Sequence, residues 1–261
     1  MRRKSRKKNS ILKIIFLGFI AVLLVYILFF RLHIFDIGKV EIKTQKINCV
    51  NEQTLKESLK IEGMNFFTLN TEELTKNIKL KFFCVKDVKF SKVFPNKIKL
   101  ETIPRQVFGQ IVDAKQNIAT SSSDLESLAT PSAELASEYF LIDTEGVLFE
   151  KNPYFLNIPT IYAYDLNLSL GKKLEENKQV SLKILDKLNL FKVNINSSAI
   201  FDNFFVIYST PKIIFKLDNT ADTQLASLQL ILEKAKIDSE QLTFVDLRFD
   251  KPIVRFAPKK K

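Results

Sequence analysis

The most apolar stretch of the chain lies close to its first residue. Residues 11–30 are almost entirely Leu, Ile, Val and Phe, and no charged residue occurs from Ile14 to Phe30. In a helix such a stretch extends about 30 Å, which matches the hydrocarbon core of a bilayer. Bulky residues continue up to Arg31, with no small-residue cleavage site. The pattern therefore predicts an uncleaved transmembrane helix over 11–30.

The residues that follow show first a strand pattern and then two helix patterns. Apolar and charged residues alternate around 40–42, which predicts a half-buried strand. Asn51 is a suitable helix cap, and the helix that follows carries Ile61 before Gly63 ends it. Asn70 stands three residues before a glutamate, a capping spacing that predicts a second helix of about ten residues.

Two strands joined by a turn complete this first region. Alternating residues predict strands around 85–90 and 98–100, and Pro95-Asn96 predicts the turn between them. The predicted order is therefore strand, helix, helix, strand, strand.

The remainder of the chain mixes short strands with two helices. Apolar residues at helical spacing predict helices around 180–188 and 225–232. Short apolar runs predict strands at 140–142, 147–149, 199–201, 205–208, 213–217, 242–247 and 253–256. Together these patterns predict an α+β fold with a mostly antiparallel sheet.

The net charge of +11 suggests nucleic-acid binding until the charges are located. Six basic residues lie within residues 1–10 and three within 259–261, and neither tail carries an acidic residue. Without those nine, 31 of the 40 basic residues remain against 29 acidic residues, so the body of the chain is almost neutral. Nucleic-acid binding is therefore not expected. The basic cluster instead predicts a cytoplasmic N-terminus, with the chain beyond Arg31 on the other side of the membrane.

Residues suited to catalysis or cofactor binding are scarce. His33 is the only histidine, and a serine or cysteine triad needs a histidine in a suitable setting. The six glycines are too dispersed for a phosphate-binding loop, and two cysteines cannot supply the four ligands of structural zinc. We expect no enzyme activity, metal, cofactor or small-molecule substrate. Cys49 and Cys84 are interpreted as two independent buried thiols, with a disulfide as the alternative.

Two acidic positions have structural interpretations. Asp143 and Gly146 lie in a predicted hairpin turn, which needs a side-chain acceptor and a residue that tolerates positive φ. Asp246 and Arg248 are two residues apart on a predicted strand, so they share a face and could pair with neighbouring strands. A structural pair is favoured there over contact with a partner.

Six motifs follow one another behind the apolar stretch, namely VEIKTQKI, NFFTLNTEEL, VKDVKFSKVFPNKIKLETIP, YFLIDTEGVLFE, NIPTIYAYDLNLSLGKKL and FVDLRFDKPIVRF. They resemble those of the FtsQ/DivIB family of bacterial cell-division proteins, whose first folded part is a POTRA domain. The chain departs from the family pattern after Glu101 and carries an insert rich in Ser, Thr and Ala at about 113–138. The insert is expected to be mobile.

The resemblance implies a division into parts. A basic cytoplasmic tail (1–10) and the transmembrane helix (11–30) precede a POTRA-like domain (36–104). An FtsQ-type β domain (105–258), a curved sheet with helices on one face, and a short basic tail (259–261) complete the chain.

The resemblance also implies a function. The chain would be a non-enzymatic, single-pass membrane scaffold at the division septum that binds FtsB/FtsL-type proteins and helps coordinate septal peptidoglycan synthesis. The alternatives are a POTRA-type secretion or assembly module and a membrane-anchored cell-wall enzyme, which would need two carboxylates about 5 to 10 Å apart. The terminal strand would offer a free edge to a partner strand. The candidate partner-binding residues are Asp246, Arg248, Phe249, Ile253, Val254, Arg255 and Phe256.

Overall fold

The chain consists of two units, with the boundary after Pro104. The computed structural model describes residues 5–30, 35–44, 50–114, 138–152, 154–164, 166–195 and 197–258. The predictions for His33, Cys49, most of the insert and the tail at 259–261 fall outside the described residues. The two units are described separately.

The structure contradicts the transmembrane helix predicted over 11–30. A helix is present, α1 (Ser5–Phe30), and its described side chains, at 13–27, are exposed. Within the described ranges, no helix combines the length and the apolar character needed to cross a membrane.

After α1, the first unit has the predicted order of strand, two helices and two strands. The elements are β1 (Lys39–Thr44), α2 (Glu52–Leu59), α3 (Thr71–Lys81), β2 (Val85–Val93) and β3 (Lys97–Pro104). In the sheet β3 is central, parallel to β1 and antiparallel to β2. Both helices carry buried side chains, including Leu55, Leu59 and Ile78.

Side-chain caps begin both helices where the sequence predicted them. The Asn51 carboxamide oxygen accepts the Thr54 amide at 2.7 Å, and that of Asn70 accepts two amides of the first turn of α3 at 3.2 Å. The end of α2 was predicted too late. Lys60 adopts a left-handed conformation (φ 46°) and ends the helix, so the buried Ile61 lies beyond it.

The prediction of two independent thiols is wrong. Cys84, which is buried between α3 and β2, is disulfide-bonded. The other cysteine of the sequence is Cys49. Sequence alone could not decide this, because a separation of about 35 residues says nothing about the distance between two sulfur atoms.

The second unit contains a nine-stranded sheet and two helices. The strands are β4 (Gly109–Asp113), β5 (Tyr139–Ile142), β6 (Leu148–Asn152), β7 (Thr160–Ala163), β8 (Ser197–Ile200), β9 (Phe204–Tyr208), β10 (Lys212–Lys216), β11 (Leu242–Asp246) and β12 (Ile253–Phe256). The helices are α4 (Glu176–Leu190) and α5 (Ala221–Ile237). The order of strands across the sheet is β12-β11-β10-β9-β8-β7-β4-β5-β6. The sheet is more mixed than predicted, because β7 is parallel to both neighbours and β10 is parallel to β11.

Both helices pack on one face of this sheet. Leu185 of α4 and Leu228 of α5 belong to the same buried cluster as Ile161 and Phe205 of the strands. The next residue along each strand turns to the opposite face, where a second buried cluster is rich in Tyr and Phe. The strands of the middle of the sheet are therefore buried on both faces.

Two strands, β4 and β7, were not predicted. They lie side by side near the middle of the sheet, and every residue of β7 is buried. A strand buried on both faces loses the alternation of apolar and polar residues that reveals half-buried strands. At the two ends of the predicted insert, Asp113 belongs to β4 and Glu138 pairs with Lys151 at 2.8 Å.

The disulfide should contribute much of the stability of the first unit. Replacing Cys84 by Ser should lower its free energy of unfolding by about 4 kcal/mol, the chain-entropy value for a cross-link that closes a loop of about 35 residues. Urea unfolding under oxidising conditions, followed by circular dichroism, measures the change.

Reduced wild-type protein is the control, and it should unfold at the same urea concentration as the variant. If oxidised wild-type protein and the variant unfold together, the disulfide does not stabilise the unit.

Candidate partner-docking edge

The last two strands form one end of the nine-stranded sheet. β12 runs antiparallel to β11, with Val254 opposite Val245 and Ile253 opposite Asp246. No strand among the described residues lies on the outer side of β12. Its outward backbone groups therefore stand at a sheet edge, where a further strand can pair.

The hydrogen bonds of β12 show which backbone groups face outward. Ala257, which follows the strand, donates its amide to a carbonyl just before β11 at 2.8 Å. The Thr243 hydroxyl donates to the Arg255 carbonyl at 3.1 Å. Backbone groups of alternate residues point to opposite sides of a strand. Those of Val254 and Phe256 therefore face the open edge.

The side chains of β12 also divide between the two faces of the sheet. Val254 packs against the core that contains the helices. The Arg255 guanidinium lies 5.8 Å from the centre of the Phe244 ring, which belongs to the opposite face. Three large apolar side chains around the strand are about half exposed, namely Phe249 (53%), Ile253 (46%) and Phe256 (45%).

Asp246 and Arg248 pair with each other and not with neighbouring strands. Asp246 is buried and ends β11, whereas Arg248 lies beyond the strand. The Arg248 Nε lies 3.0 and 3.2 Å from the two carboxylate oxygens, and its Nη2 lies 2.7 Å from one of them. The Arg248 amide also donates to this carboxylate, at 3.1 Å. A bidentate pair of this kind is strong and directional.

Aromatic rings hold the Arg248 guanidinium in place. It lies 5.5 Å from the centre of the Phe204 ring and 5.4 Å from that of Phe249. Cation–π contacts of this length are attractive. The buried Asp246 thus fixes Arg248, which in turn supports the exposed Phe249 beside the edge.

A cavity of about 210 Å³ adjoins this turn. The Lys216 ammonium, 2.8 Å from the carboxylate, and the Thr220 hydroxyl lower the pKa of Asp218 to about 2. Both charges of the pair are therefore present at neutral pH. The lining includes Lys216, Asp218, Thr220, Gln224, Arg248 and Phe249.

A family model and two relatives show what this chain is similar to. Residues 35–101 match the model of the FtsQ-type POTRA domain. The cell division protein DivIB of Clostridium botulinum strain Hall (type A) is 25% identical over 204 residues, which are 76% of this chain and 69% of that protein. DivIB of the Loch Maree strain (type A3) is 26% identical over 204 residues, with the same shares covered.

This chain is a relative of the FtsQ/DivIB cell-division proteins. The resemblance stated from six motifs is confirmed by these matches. The FtsQ-type POTRA match falls within the first unit. In this FtsQ/DivIB relative the seven candidate partner-binding residues all lie in β11, in β12 or in the turn between them.

Sequence reasoning missed the rings that support those residues. Phe204 contacts Arg248 and Phe244 contacts Arg255, but Phe204 lies on β9, far from Arg248 in sequence. No spacing or motif links residues so far apart. Only the order of strands in the sheet brings them together.

At the opposite end of the sheet, another segment of the chain is bonded to the start of the edge strand β6. The β6 residue Leu148 donates its amide to the Lys172 carbonyl at 3.0 Å and accepts the Gly171 amide at 2.7 Å. Val147 forms a further bridge with Lys173. This FtsQ/DivIB relative therefore covers the start of one edge strand with its own chain.

Two carboxylates come close together near the start of the second unit. Asp143 and Glu145 both contact the Arg105 Nη1, with Glu145 at 3.5 Å. One Asp143 oxygen also accepts the Glu145 and Val147 amides at 2.9 Å, and Gly146 has a φ of 81°, as the turn prediction required. An arginine between two carboxylates, one of them fixed by backbone amides, indicates a structural turn in this FtsQ/DivIB relative. The geometry gives no support to a pair of catalytic carboxylates.

No group of three or more His, Cys, Asp or Glu among the described residues could hold a metal ion.

The Asp246–Arg248 pair should stabilise the second unit measurably. Replacing Asp246 by Ala removes the acceptors of Arg248, and the free energy of unfolding should fall by about 2 kcal/mol. Urea unfolding of the full chain measures it.

Asp250→Ala is the matched control, because Asp250 is exposed in the same turn. Its effect should stay within about 0.5 kcal/mol. Equal effects of the two replacements would contradict a stabilising role for the pair.

Proposed function

We propose that this FtsQ/DivIB relative acts in cell division as a non-enzymatic scaffold at the division septum. In this proposal it binds a strand of an FtsB/FtsL-type protein along the outer edge of β12, and so helps coordinate septal peptidoglycan synthesis. The observation that carries the proposal is the open edge of β12, with the outward backbone groups of Val254 and Phe256.

The short length of β12 limits how much its backbone hydrogen bonds can contribute to the free energy of partner binding. Two outward residues offer two amides and two carbonyls, so a partner strand gains about four main-chain hydrogen bonds. At about 1 kcal/mol each these give about 4 kcal/mol, which only meets the lower estimate for the cost of association. Side chains must therefore supply most of the net affinity.

The exposed apolar residues can supply that remainder. Burying a large apolar side chain is worth about 1.5 to 3 kcal/mol when it passes from full exposure to full burial. Phe249, Ile253 and Phe256 are about half exposed, so each offers part of that value. The partner strand should accordingly carry apolar residues at alternate positions, because its side chains also alternate between faces.

The contrast between the two sheet edges supports the choice of β12. The start of β6 is already bonded to 171–173, whereas β12 has no described strand beside it. Its length of four residues, with Pro252 before it and Pro258 after it, restricts pairing to a short segment. Short edges flanked by proline limit unspecific pairing.

A proline at position 256 tests the pairing directly. Phe256→Pro removes an outward amide without removing a bond to β11, whereas Phe256→Ala removes only the ring. Binding of the FtsB-type protein from the same cells, measured with the full chain, should weaken about tenfold more in Phe256→Pro than in Phe256→Ala.

Equal unfolding transitions of the two variants would show that both remain folded. Equal binding by the two variants would overturn the pairing of a partner strand with β12.

A fluorescent fusion tests the site of action separately. The fusion should concentrate at midcell in dividing cells, because the partners proposed for it act at the septum. An even distribution through the cell would contradict the septal role while leaving the binding experiment intact.

A further inference from the structure

One end of the first unit is built from three segments that are distant in sequence. The Ile37 amide donates to the Met64 carbonyl at 2.8 Å, and the Phe66 amide donates to the Phe35 carbonyl at 2.8 Å. The Gly38 amide donates to the carbonyl of Asn96, in the turn between β2 and β3, at 3.1 Å. These bonds bring 35–38, 63–67 and 93–96 together. We call this end the aromatic tip.

The aromatic tip exposes four large apolar side chains. Phe94 is 70% exposed, Phe67 50%, Met64 47% and Val93 37%. The ring of Phe35 lies between the two outer phenylalanines, with centroids 6.0 Å from Phe94 and 5.2 Å from Phe67. The exposed rings are thus held in position by a third ring. Neighbouring apolar side chains that are exposed and fixed in position are typical of an interaction surface.

The neighbouring face of the three-stranded sheet is basic. The strand register places five lysines, two glutamates and one aspartate on this face, which gives it a net charge of +2. Two of the three carboxylates are ion-paired: Glu41 with Lys97 at 2.6 Å and Asp87 with Lys79 of α3 at 2.8 Å, and each lysine lowers the pKa of its partner. The charged residues of the face are Lys39, Lys43, Lys89, Lys97, Lys99, Glu41, Glu101 and Asp87.

The shape of the aromatic tip favours a lipid bilayer over a folded protein as the binding partner. A phenylalanine that is 70% exposed projects from a turn and does not line a groove. Projecting aromatic rings beside lysines are the combination that binds the interface of an anionic bilayer, where the rings enter the headgroup region and the lysines attract anionic lipids. An acidic protein surface would form ion pairs with the lysines but would not bury the projecting phenylalanine ring.

We propose that the aromatic tip of the first unit docks on an anionic lipid surface and inserts the Phe94 ring into the headgroup region. This is a surface contact and requires no helix that crosses the membrane. It is independent of the edge of β12, which belongs to the second unit.

The absence of tryptophan from the sequence permits a position-specific test. In the full chain, Phe94→Trp introduces a single indole at the tip, and Leu80→Trp introduces one at a site of similar exposure (72%) on α3. With phosphatidylglycerol-containing vesicles, the emission of the Phe94→Trp variant should shift to shorter wavelength and be quenched by brominated acyl chains. The emission of the Leu80→Trp variant should remain as it is in buffer.

This readout reports on position 94 itself, so binding through another segment does not imitate it. Lys39 and Lys99 are then replaced by Ser. Each replacement should raise about fivefold the lipid concentration that gives half of the emission shift. Phe256→Ala in the second unit should leave the signal unchanged.

Three results would overturn the proposal. The first is an unchanged spectrum of the Phe94→Trp variant, and the second is equal changes in the two tryptophan variants. The third is an equal response to purely zwitterionic vesicles, which would remove the role of the lysines. A shift of the Phe94→Trp emission with soluble polyglutamate but not with vesicles would assign the tip to an acidic polypeptide instead.

Discussion

The nine-stranded sheet of the second unit has backbone hydrogen-bonding groups along its two edge strands. The proposed function depends on whether these groups already have partners within the chain. At β6 the chain returns and bonds to Leu148. At β12 no described strand follows, and the groups of Val254 and Phe256 face outward. Backbone donors and acceptors need partners once water is excluded, so the open edge favours a partner that brings its own strand.

The open edge has contacts on both faces of the sheet although it is only four residues long. Val254 packs into the core beneath the helices, and Arg255 lies over Phe244 on the other face. The buried Asp246 holds Arg248 in a bidentate pair, and the guanidinium lies between Phe204 and Phe249. A strand anchored on both faces loses little freedom when a partner binds, which lowers the cost of association.

The sequence predicted most of the helices and strands and missed two strands. Caps at Asn51 and Asn70 were correct because capping is a local interaction. Strands β4 and β7 were missed because burial on both faces removes the alternation that marks a strand. The bonded state of Cys84 and the contacts of Phe204 depend on the path of the chain in space, and the transmembrane helix predicted from composition was contradicted.

Hydrogen exchange at individual amides of β12, measured by NMR with and without the FtsB-type partner, tests the central claim most directly. If a partner strand pairs with the outer edge, the Val254 and Phe256 amides become protected on binding, while the Arg255 amide, which already faces β11, changes little. If the two outward amides exchange at the same rate in the complex as in the free protein, no strand is added at β12 and the account of the docking edge is wrong.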